Sequence, residues 1–327
     1  MRNAIHFSTF AVACVAAVAA LGARPAQTPA AGPTPPPWAY PVAESRTPRP
    51  PDDGTARQVP GSTQAFTLTE TRNLFAPPDW RPDAHPSMPD VVAYGRRSAL
   101  FACGYCHLPN GFGRPENSGV AGLPVAYIVQ QMADFKNDAR RSAEPDMGPP
   151  SAMIRVAKAA TDEEVRLAAE YFAAVPLAPW VRVVETNSVP KSVVAGSMWV
   201  PVEGGGTEPI GQRIVELPED VARTELRDAS SGFVAYVPNG SIARGRAIAA
   251  GEAEVAACAT CHGPGLHGLG PVPPLAGRSP SYTVRQLYDL QSGARNGAWA
   301  DLMTDVVDDL SLDDMVALAA YTASLSP

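Results

Sequence analysis

The spacing of apolar side chains divides the chain into helical regions on either side of a strand-like region. Residues 91–102, 124–138 and 161–175 carry apolar residues at helical intervals, and residues 240–325 repeat this succession. Between the two regions lie short β-branched and aromatic runs at 182–186, 193–202, 213–217 and 233–237. The pattern predicts a mainly α protein in which a small β-rich connector, residues 177–239, joins two helical domains.

The two helical regions are copies of one unit. Identical residues recur at an offset of 155, as in His107 and His262, Tyr127 and Tyr282, and Arg140 and Arg295. Closer to the C-terminus the offset becomes 150 and relates Met153 to Met303. These registers predict an N-terminal domain over residues 61–176 and a C-terminal domain over residues 240–327.

The last helix of each copy carries a capping signal. Thr161 and Ser311 are the expected N-caps, and an acid follows each after three residues, Glu164 and Asp314. This spacing predicts a reciprocal capping box at both positions.

The N-terminal segment predicts export. One basic residue, Arg2, precedes an apolar run over residues 10–21 that ends in small residues, as in a secretory signal peptide over residues 1–23. The run is shorter than the ~20 residues that cross a bilayer, so an uncleaved membrane anchor is the minor alternative. Residues 24–60 are rich in Pro and Ala and predict an extended, solvated linker outside the fold. A second Pro-rich stretch contains Trp80, the expected packing anchor of the first domain.

Composition and charge exclude several functional classes. Hydrophobic residues form 45% of the 327 residues and charged residues 18%, which excludes a charge-rich disordered chain. The formal net charge is −7, and Lys and Arg do not cluster, so nucleic acid is excluded as a partner.

Four of the five cysteines form two C-x-x-C-H units, Cys103 to His107 and Cys258 to His262. Two thiols at this spacing can form thioethers with a haem, and the adjacent His can bind its iron. A thioredoxin-type redox pair would not need the His and belongs in a βαβ unit, and adjacent Cys and His do not readily bind one tetrahedral zinc ion. The units therefore predict two covalently attached haem c groups, anchored by Cys103, Cys106, Cys258 and Cys261.

The chain resembles the tandem di-haem class I cytochromes c. The resemblance covers residues 90–176 and 240–327 and rests on both C-x-x-C-H units, the Pro-Leu-Ala-Gly that starts at Pro274, the Gly-Ala-Arg that ends at Arg295, and the closing helix that ends at Tyr321. It implies two class I cytochrome c domains in tandem, with His107 and His262 as proximal iron ligands. Gly119 departs from the pattern, because the second copy has Pro274 there, so the loop next to His107 is expected to be held differently and the two haems to differ in potential.

The same resemblance implies a distal Met shortly before the final helix. Met153 and Met303 occupy that place in register, 46 and 41 residues after their His. Met147 is the competitor in the first copy, whereas Met315 falls inside a helix and is expected in the core. His85 and His267 are expected to be ordinary surface residues, although His85 could offer bis-His ligation.

Arg140, Arg295, Tyr127 and Tyr282 are candidate cofactor-binding residues. They could bond haem propionates or hold a helix above the ring, since a guanidinium group matches a carboxylate. Equally, they could be ordinary helix-end arginines and core tyrosines.

The sequence thus predicts a periplasmic di-haem cytochrome that is not an enzyme and carries single electrons between a donor and an acceptor protein. One alternative is a cytochrome subunit of a periplasmic or membrane dehydrogenase or oxidase complex. The other is a haem peroxidase with one five-coordinate iron.

Overall fold

The computed structural model describes residues 34–43, 51–252 and 255–327, and in these ranges the chain forms twelve α-helices and seven strands. The mainly helical fold class is confirmed. The expected signal peptide, residues 1–23, lies outside the described residues, as do residues 24–33 and 44–50 of the expected linker. None of the helices in the described ranges has the length and apolarity needed to cross a bilayer.

Six helices precede the connector. They are α1 (Leu68–Thr71), α2 (Asp90–Ala93), α3 (Cys103–His107), α4 (Val125–Lys136), α5 (Gly148–Ala159) and α6 (Asp162–Ala174). The prediction of one helix over residues 91–102 is wrong, because α2 ends at Ala93. Gly95 then turns the chain back with a φ of 63°, and a Cβ atom there would lie 2.3 Å from the Leu100 carbonyl oxygen.

The second copy contains five helices. They are α8 (Ser241–Ala249), α9 (Ala259–His262), α10 (Pro280–Gln291), α11 (Asp301–Val307) and α12 (Leu312–Ser324). Gly245 lets α8 cross α12 closely, since a Cβ atom there would lie 1.9 Å from the Ala317 carbonyl oxygen. Both predicted capping boxes are confirmed, Thr161 with Glu164 at α6 and Ser311 with Asp314 at α12.

The strands lie between the two copies. They are β1 (Val181–Glu185), β2 (Ser188–Pro190), β3 (Ser192–Ala195), β4 (Met198–Pro201), β5 (Thr207–Pro209), β6 (Val215–Pro218) and β7 (Phe233–Val237), with helix α7 (Val221–Glu225) before β7. A three-stranded sheet has the order β1-β7-β6, with β1 parallel and β6 antiparallel to β7. The run over 193–202 is a hairpin, because β3 and β4 pair around Gly196.

The main apolar core belongs to the second copy but takes in residues from elsewhere. Val284, Met315 and Leu318 pack there with Met147 from the first copy and Val237 from β7. A separate cluster in the first copy contains Val92, Tyr171 and Phe172, and a third contains Val189 and Leu217 of the connector strands.

The expected linker contributes directly to that main core. Ala39 and Tyr40 are 0% and 2% exposed, and the Tyr40 hydroxyl donates to Asp289 Oδ1 at 2.8 Å. Arg285 Nη1 donates to the Ala39 carbonyl at 2.8 Å, and Trp199 Nε1 donates to the Trp38 carbonyl at 2.9 Å. The prediction of a solvated linker is therefore wrong for residues 38–40, because its aromatic side chains bury apolar surface that Pro and Ala could not supply.

The prediction that Trp80 anchors the second Pro-rich stretch is confirmed. Its side chain is 2% exposed and meets the Phe66 ring edge-on, with 4.7 Å between centroids. Its Nε1 donates to the Leu226 carbonyl at 2.9 Å, so the anchor joins the first copy to the connector.

A buried carboxyl group joins the connector to the second copy. Glu216 on β6 is 1% exposed, and its Oε2 accepts hydrogen bonds from Ser279 Oγ at 2.8 Å and Ser281 N at 3.2 Å. Among the described residues its Oε1 has no hydrogen-bond partner. Burial raises the pKa of Glu216 above its ordinary value, so the neutral acid suits this position.

Glu216→Gln should stabilise the fold at neutral pH. A folded pKa above the unfolded value contributes stability that is present at acidic pH and is lost as the pH rises through the folded pKa. Thermal unfolding should show a gain of about 1–3 kcal/mol at pH 7.5 that shrinks toward pH 4.5. The exposed Glu225→Gln is the matched control and should show no such trend. A gain that does not depend on pH would contradict the assignment.

Candidate haem sites

Each C-x-x-C-H unit lies on one turn of helix, in α3 and at α9. The helical spacing brings the two thiols of a unit to the same face. In the described ranges, none of the four motif cysteines forms a disulfide. Directly after each His the backbone takes a positive φ, 63° at Leu108 and 75° at Gly263, and the chain turns away from the helix.

The two imidazoles are oriented by the same contact. His107 Nδ1 donates to the Ser118 carbonyl at 2.8 Å, and His262 Nδ1 donates to the Pro273 carbonyl at 2.8 Å. Because a carbonyl only accepts, this bond fixes the proton on Nδ1 and leaves the Nε2 lone pair for a metal. Desolvation lowers the pKa of both histidines, which favours the neutral, metal-binding form.

The loop behind each His repeats almost bond for bond. Gly113 N donates to the His107 carbonyl at 2.9 Å, and Gly268 N donates to the His262 carbonyl at 2.7 Å. Gly119 was expected to change how the first loop is held. That expectation is wrong for the His107 bond, which has the same length as its counterpart, because the loop is fixed by backbone bonds that do not require Pro.

A cavity in the first copy brings the predicted ligands together. Cys103, Cys106, His107 and Met153 all line it. Its walls are mostly apolar, with Val120, Leu123, Ile128, Met132, Phe135, Val156, Val165 and Phe172. Polar side chains from both copies complete the lining, among them Tyr127, Arg140, Tyr282 and Gln286.

Met153 and its competitor Met147 lie in different surroundings. Met153 lies on α5, whereas its competitor Met147 precedes that helix as N-cap and is fully buried in the main core. Met303 lies on α11, partly buried against the same core, and Met315 is 1% exposed inside it. Both candidate ligands are therefore on helices, where the resemblance implied a loop.

The environment of the thiols does not match that of an activated redox dithiol. Desolvation raises the pKa of Cys103 to about 12 and also raises the pKa values of Cys106 and Cys258. A reactive redox cysteine requires the opposite shift, toward the thiolate. Neutral thiols beside an imidazole and an apolar cavity fit a covalently bound haem.

The arginine and tyrosine pairs meet across the junction between the copies. Arg140 Nη2 donates to Tyr282 Oη at 2.7 Å, and Arg295 Nη2 donates to Tyr127 Oη at 2.9 Å. Gln131 and Gln286 accept from both guanidinium groups, and the backbones of Arg140 and Arg295 form an antiparallel bridge. We call these six residues the junction network. Sequence reasoning paired the residues along the repeat but did not predict that each Arg bonds the Tyr of the other copy.

The junction network places two like charges close together without a carboxylate among its members. Burial alone would raise the pKa of Tyr282, but the Arg140 and Arg295 cations outweigh it and lower that pKa. Phenol and amide oxygens thus take the role that acids have in an ordinary ion pair.

Sequence reasoning missed three buried arginines that bind backbone carbonyls, namely Arg227, Arg278 and Arg285. Arg227, from the connector, donates to the Tyr105 carbonyl at 2.6 Å inside the first C-x-x-C-H unit and lies 3.6 Å from the centre of the Tyr105 ring. Arg278 donates to carbonyls of both copies. Arg227 lies in the connector, outside the repeat, and the position of the first copy that corresponds to Arg278 is Leu123. The repeat therefore gives no sign of either residue, and only the fold reveals their role.

Of the other histidines in the described ranges, neither His85 nor His267 lines the first cavity. His85 is not the solvated residue that was expected: its Nε2 is 3.1 Å from Asp79 Oδ1, its Nδ1 is 3.0 Å from Tyr171 Oη, and its side chain is 5% exposed. His267 Nε2 bonds the Ser326 carbonyl at 3.1 Å.

Comparisons with known proteins agree with this chemistry. Residues 242–321 match the family model for cytochrome c oxidase, cbb3-type, subunit III. Cytochrome c-554(548) of Halomonas halodenitrificans is 39% identical over 77 residues, which are 23% of this chain and 93% of that protein. The thiosulfate dehydrogenase electron acceptor of Stutzerimonas stutzeri is 26% identical over 234 residues, covering 71% of this chain and 82% of the relative.

Among solved structures, cytochrome c4 of Acidithiobacillus ferrooxidans aligns with a TM-score of 0.44 and 20% identity, over 68% of this chain and 98% of that chain. With two C-x-x-C-H units in two copies of one helical domain, and a cytochrome c relative that is covered almost entirely, the chain belongs to the tandem di-haem class I cytochromes c. It is therefore an electron-transfer cytochrome with two covalently bound haem c groups.

The junction network predicts an energetic coupling between the copies. Tyr127→Phe and Arg295→Gln should each destabilise the protein, and the double variant should lose about 0.5–3 kcal/mol less than the sum, because both remove the same bond. Chemical unfolding of the four proteins measures this coupling. Combining Tyr127→Phe with the exposed Arg166→Gln is the control and should give additive losses; additive losses in the first pair would show that the bond carries no energy.

Proposed function

We propose that this cytochrome is exported to the bacterial periplasm and carries single electrons between a donor and an acceptor protein. Thioethers at Cys103, Cys106, Cys258 and Cys261 attach the two haems. His107 and Met153 bind one iron, and His262 and Met303 bind the other. The Arg and Tyr residues of the junction network line the junction between the two haem sites.

The observation that carries this proposal is the shared lining of the first cavity by two thiols, one imidazole and one thioether. Those four groups come from α3 and α5, which 40 or more residues separate in sequence. Because they share one apolar cavity, Cys103 and Cys106 would hold a haem there, and His107 and Met153 would supply its iron ligands.

The roles of the chain's own groups follow from their contacts. The Ser118 and Pro273 carbonyls keep each imidazole neutral and oriented, and the apolar walls exclude water. A haem iron between imidazole and thioether exchanges one electron, at a potential that the Met ligand raises. Taking one electron from a donor and passing one to an acceptor requires no substrate pocket.

Intact mass and a redox titration followed by absorbance test the proposal. The mass of the matured protein should exceed that of the bare chain by two haems, and both haems should contribute to the redox titration. A colourless protein, or one with the mass of the bare chain, would contradict the proposal. The native protein should also leave its spectrum unchanged when carbon monoxide is added, whereas a peroxidase with a five-coordinate iron would respond.

Methionine variants test the axial ligands one at a time. Met153→Leu should lower the potential of one haem and open that iron to carbon monoxide, because the thioether ligand is lost. Met303→Leu should do the same to the other haem. Met147→Leu is the matched control, since its side chain is buried in the main core outside the cavity, and it should leave both potentials in place. A titration that Met153→Leu does not change would reject Met153 as a ligand.

A second candidate function is the electron-accepting partner of a thiosulfate dehydrogenase. It is favoured by the relative that bears this name, which aligns over 71% of this chain. The chemistry within the chain is the same, but the donor would be one specific enzyme.

Mixing the oxidised cytochrome with thiosulfate and a thiosulfate dehydrogenase should then reduce its haems, as absorbance would show. Thiosulfate alone, and the dehydrogenase alone, are the controls and should leave it oxidised. Equal rates with and without the enzyme would reject this second function and leave the general one standing.

A further inference from the structure

Arg278 forms a bridge between the loops that orient the two imidazoles. It lies just before α10 in the second copy, and its side chain reaches the first copy. Its Nη1 donates to the Gly119 carbonyl at 2.9 Å and its Nη2 to the Ala121 carbonyl at 2.9 Å. Its Nε donates to the Pro274 carbonyl of its own copy at 2.9 Å.

These acceptors stand in a regular relation to the histidines. Ser118 accepts the hydrogen bond from His107, and Gly119 is the next residue; Pro273 accepts the bond from His262, and Pro274 is the next residue. One guanidinium group therefore holds the residue after each imidazole acceptor. The relation follows the repeat offset, although Arg278 itself has no equivalent in the first copy, where Leu123 stands.

The arginine is not placed there by an ion pair. Arg278 is 8% exposed, and no carboxylate forms a salt bridge with it in the part of the chain that the structure describes. Burial lowers its pKa to about 10, which leaves it charged at neutral pH. A buried cation without an acid is unfavourable unless carbonyl oxygens satisfy its donors. Three directed bonds from one planar fork require Arg, because a Lys ammonium cannot match their geometry.

The first loop has room for the Arg278 side chain but not for a side chain at position 119. Gly119 has no side chain, and a Cβ atom there would lie 2.8 Å from the Phe112 carbonyl oxygen. Gly119, the residue that departs from the family pattern, is therefore also the residue whose carbonyl accepts a hydrogen bond from the guanidinium group.

We propose that Arg278 is a positioning residue for both haem sites, which fixes the two imidazole-binding loops as one hydrogen-bonded unit. This inference rests on the proposed function, since it assumes that His107 and His262 are the axial ligands. It adds that one residue of the second copy controls how firmly both imidazoles are held.

Solvent exchange of the two ring Nδ1 protons, followed by NMR in the reduced holoprotein, tests the inference. Arg278→Gln should accelerate exchange at both histidines by about fivefold, the factor that corresponds to losing one ordinary hydrogen bond's net contribution. Arg278→Lys should do the same, because it keeps the charge but not the fork. It also serves as the second variant if Arg278→Gln does not fold.

Two controls separate positioning from general loosening. Arg227→Gln removes another buried arginine that binds a carbonyl, but only in the first copy, so His262 should keep its wild-type exchange rate. Backbone amide exchange in α12, measured in the same samples, should stay unchanged in the Arg278 variants.

The outcomes are distinct from those of the proposed function. A matured protein that carries no haem would contradict the proposed function. A folded di-haem Arg278→Gln or Arg278→Lys protein in which either histidine exchanges at the wild-type rate would overturn only the role of Arg278. Faster exchange that extends to α12 would also overturn it, because it would show a general loss of stability.

Discussion

The hydrogen bond from each imidazole Nδ1 to a backbone carbonyl is the constraint on which both sites depend. It spans eleven residues in each copy, so the whole loop between donor and acceptor must close in one way. The backbone takes positive φ angles directly after both histidines, which is easy for Gly263 and costs conformational energy at Leu108, whose side chain is buried. The carbonyl then decides the tautomer and leaves the opposite nitrogen as the only one able to bind iron. The thiols and the apolar walls of the cavity can serve a haem only when the imidazole is held in this way.

The second general feature is how the two copies meet. Buried arginines gather at their junction, and most of them bond carbonyl, phenol or amide oxygens. Neutral acceptors satisfy the guanidinium donors without cancelling their charge. Such a junction depends on geometry, because each guanidinium donor must meet an oxygen acceptor at hydrogen-bond distance.

The sequence predicted the parts of this structure that short motifs encode. Cys103 to His107 and Cys258 to His262 specify their chemistry within five residues, and the repeat offset predicted Met153 over Met147, a choice with which the cavity lining agrees. The capping boxes at Thr161 and Ser311 were equally local. Contacts between distant segments could not be predicted in this way. Arg278 and Arg227 look like ordinary arginines until the fold brings carbonyls to them. Residues 38–40 were predicted to be solvated because the Pro-rich composition around them outweighed the two aromatic residues Trp38 and Tyr40.

The anchoring of Tyr40 has a consequence for the order in which the molecule assembles. Its hydroxyl partner, Asp289, is 249 residues further along the chain. Bringing the two residues together requires closing a loop that spans most of the chain, and the entropic cost of that closure must be met before the bond can form. A contact this distant in sequence contributes to the stability of the finished protein and not to the early steps of its folding.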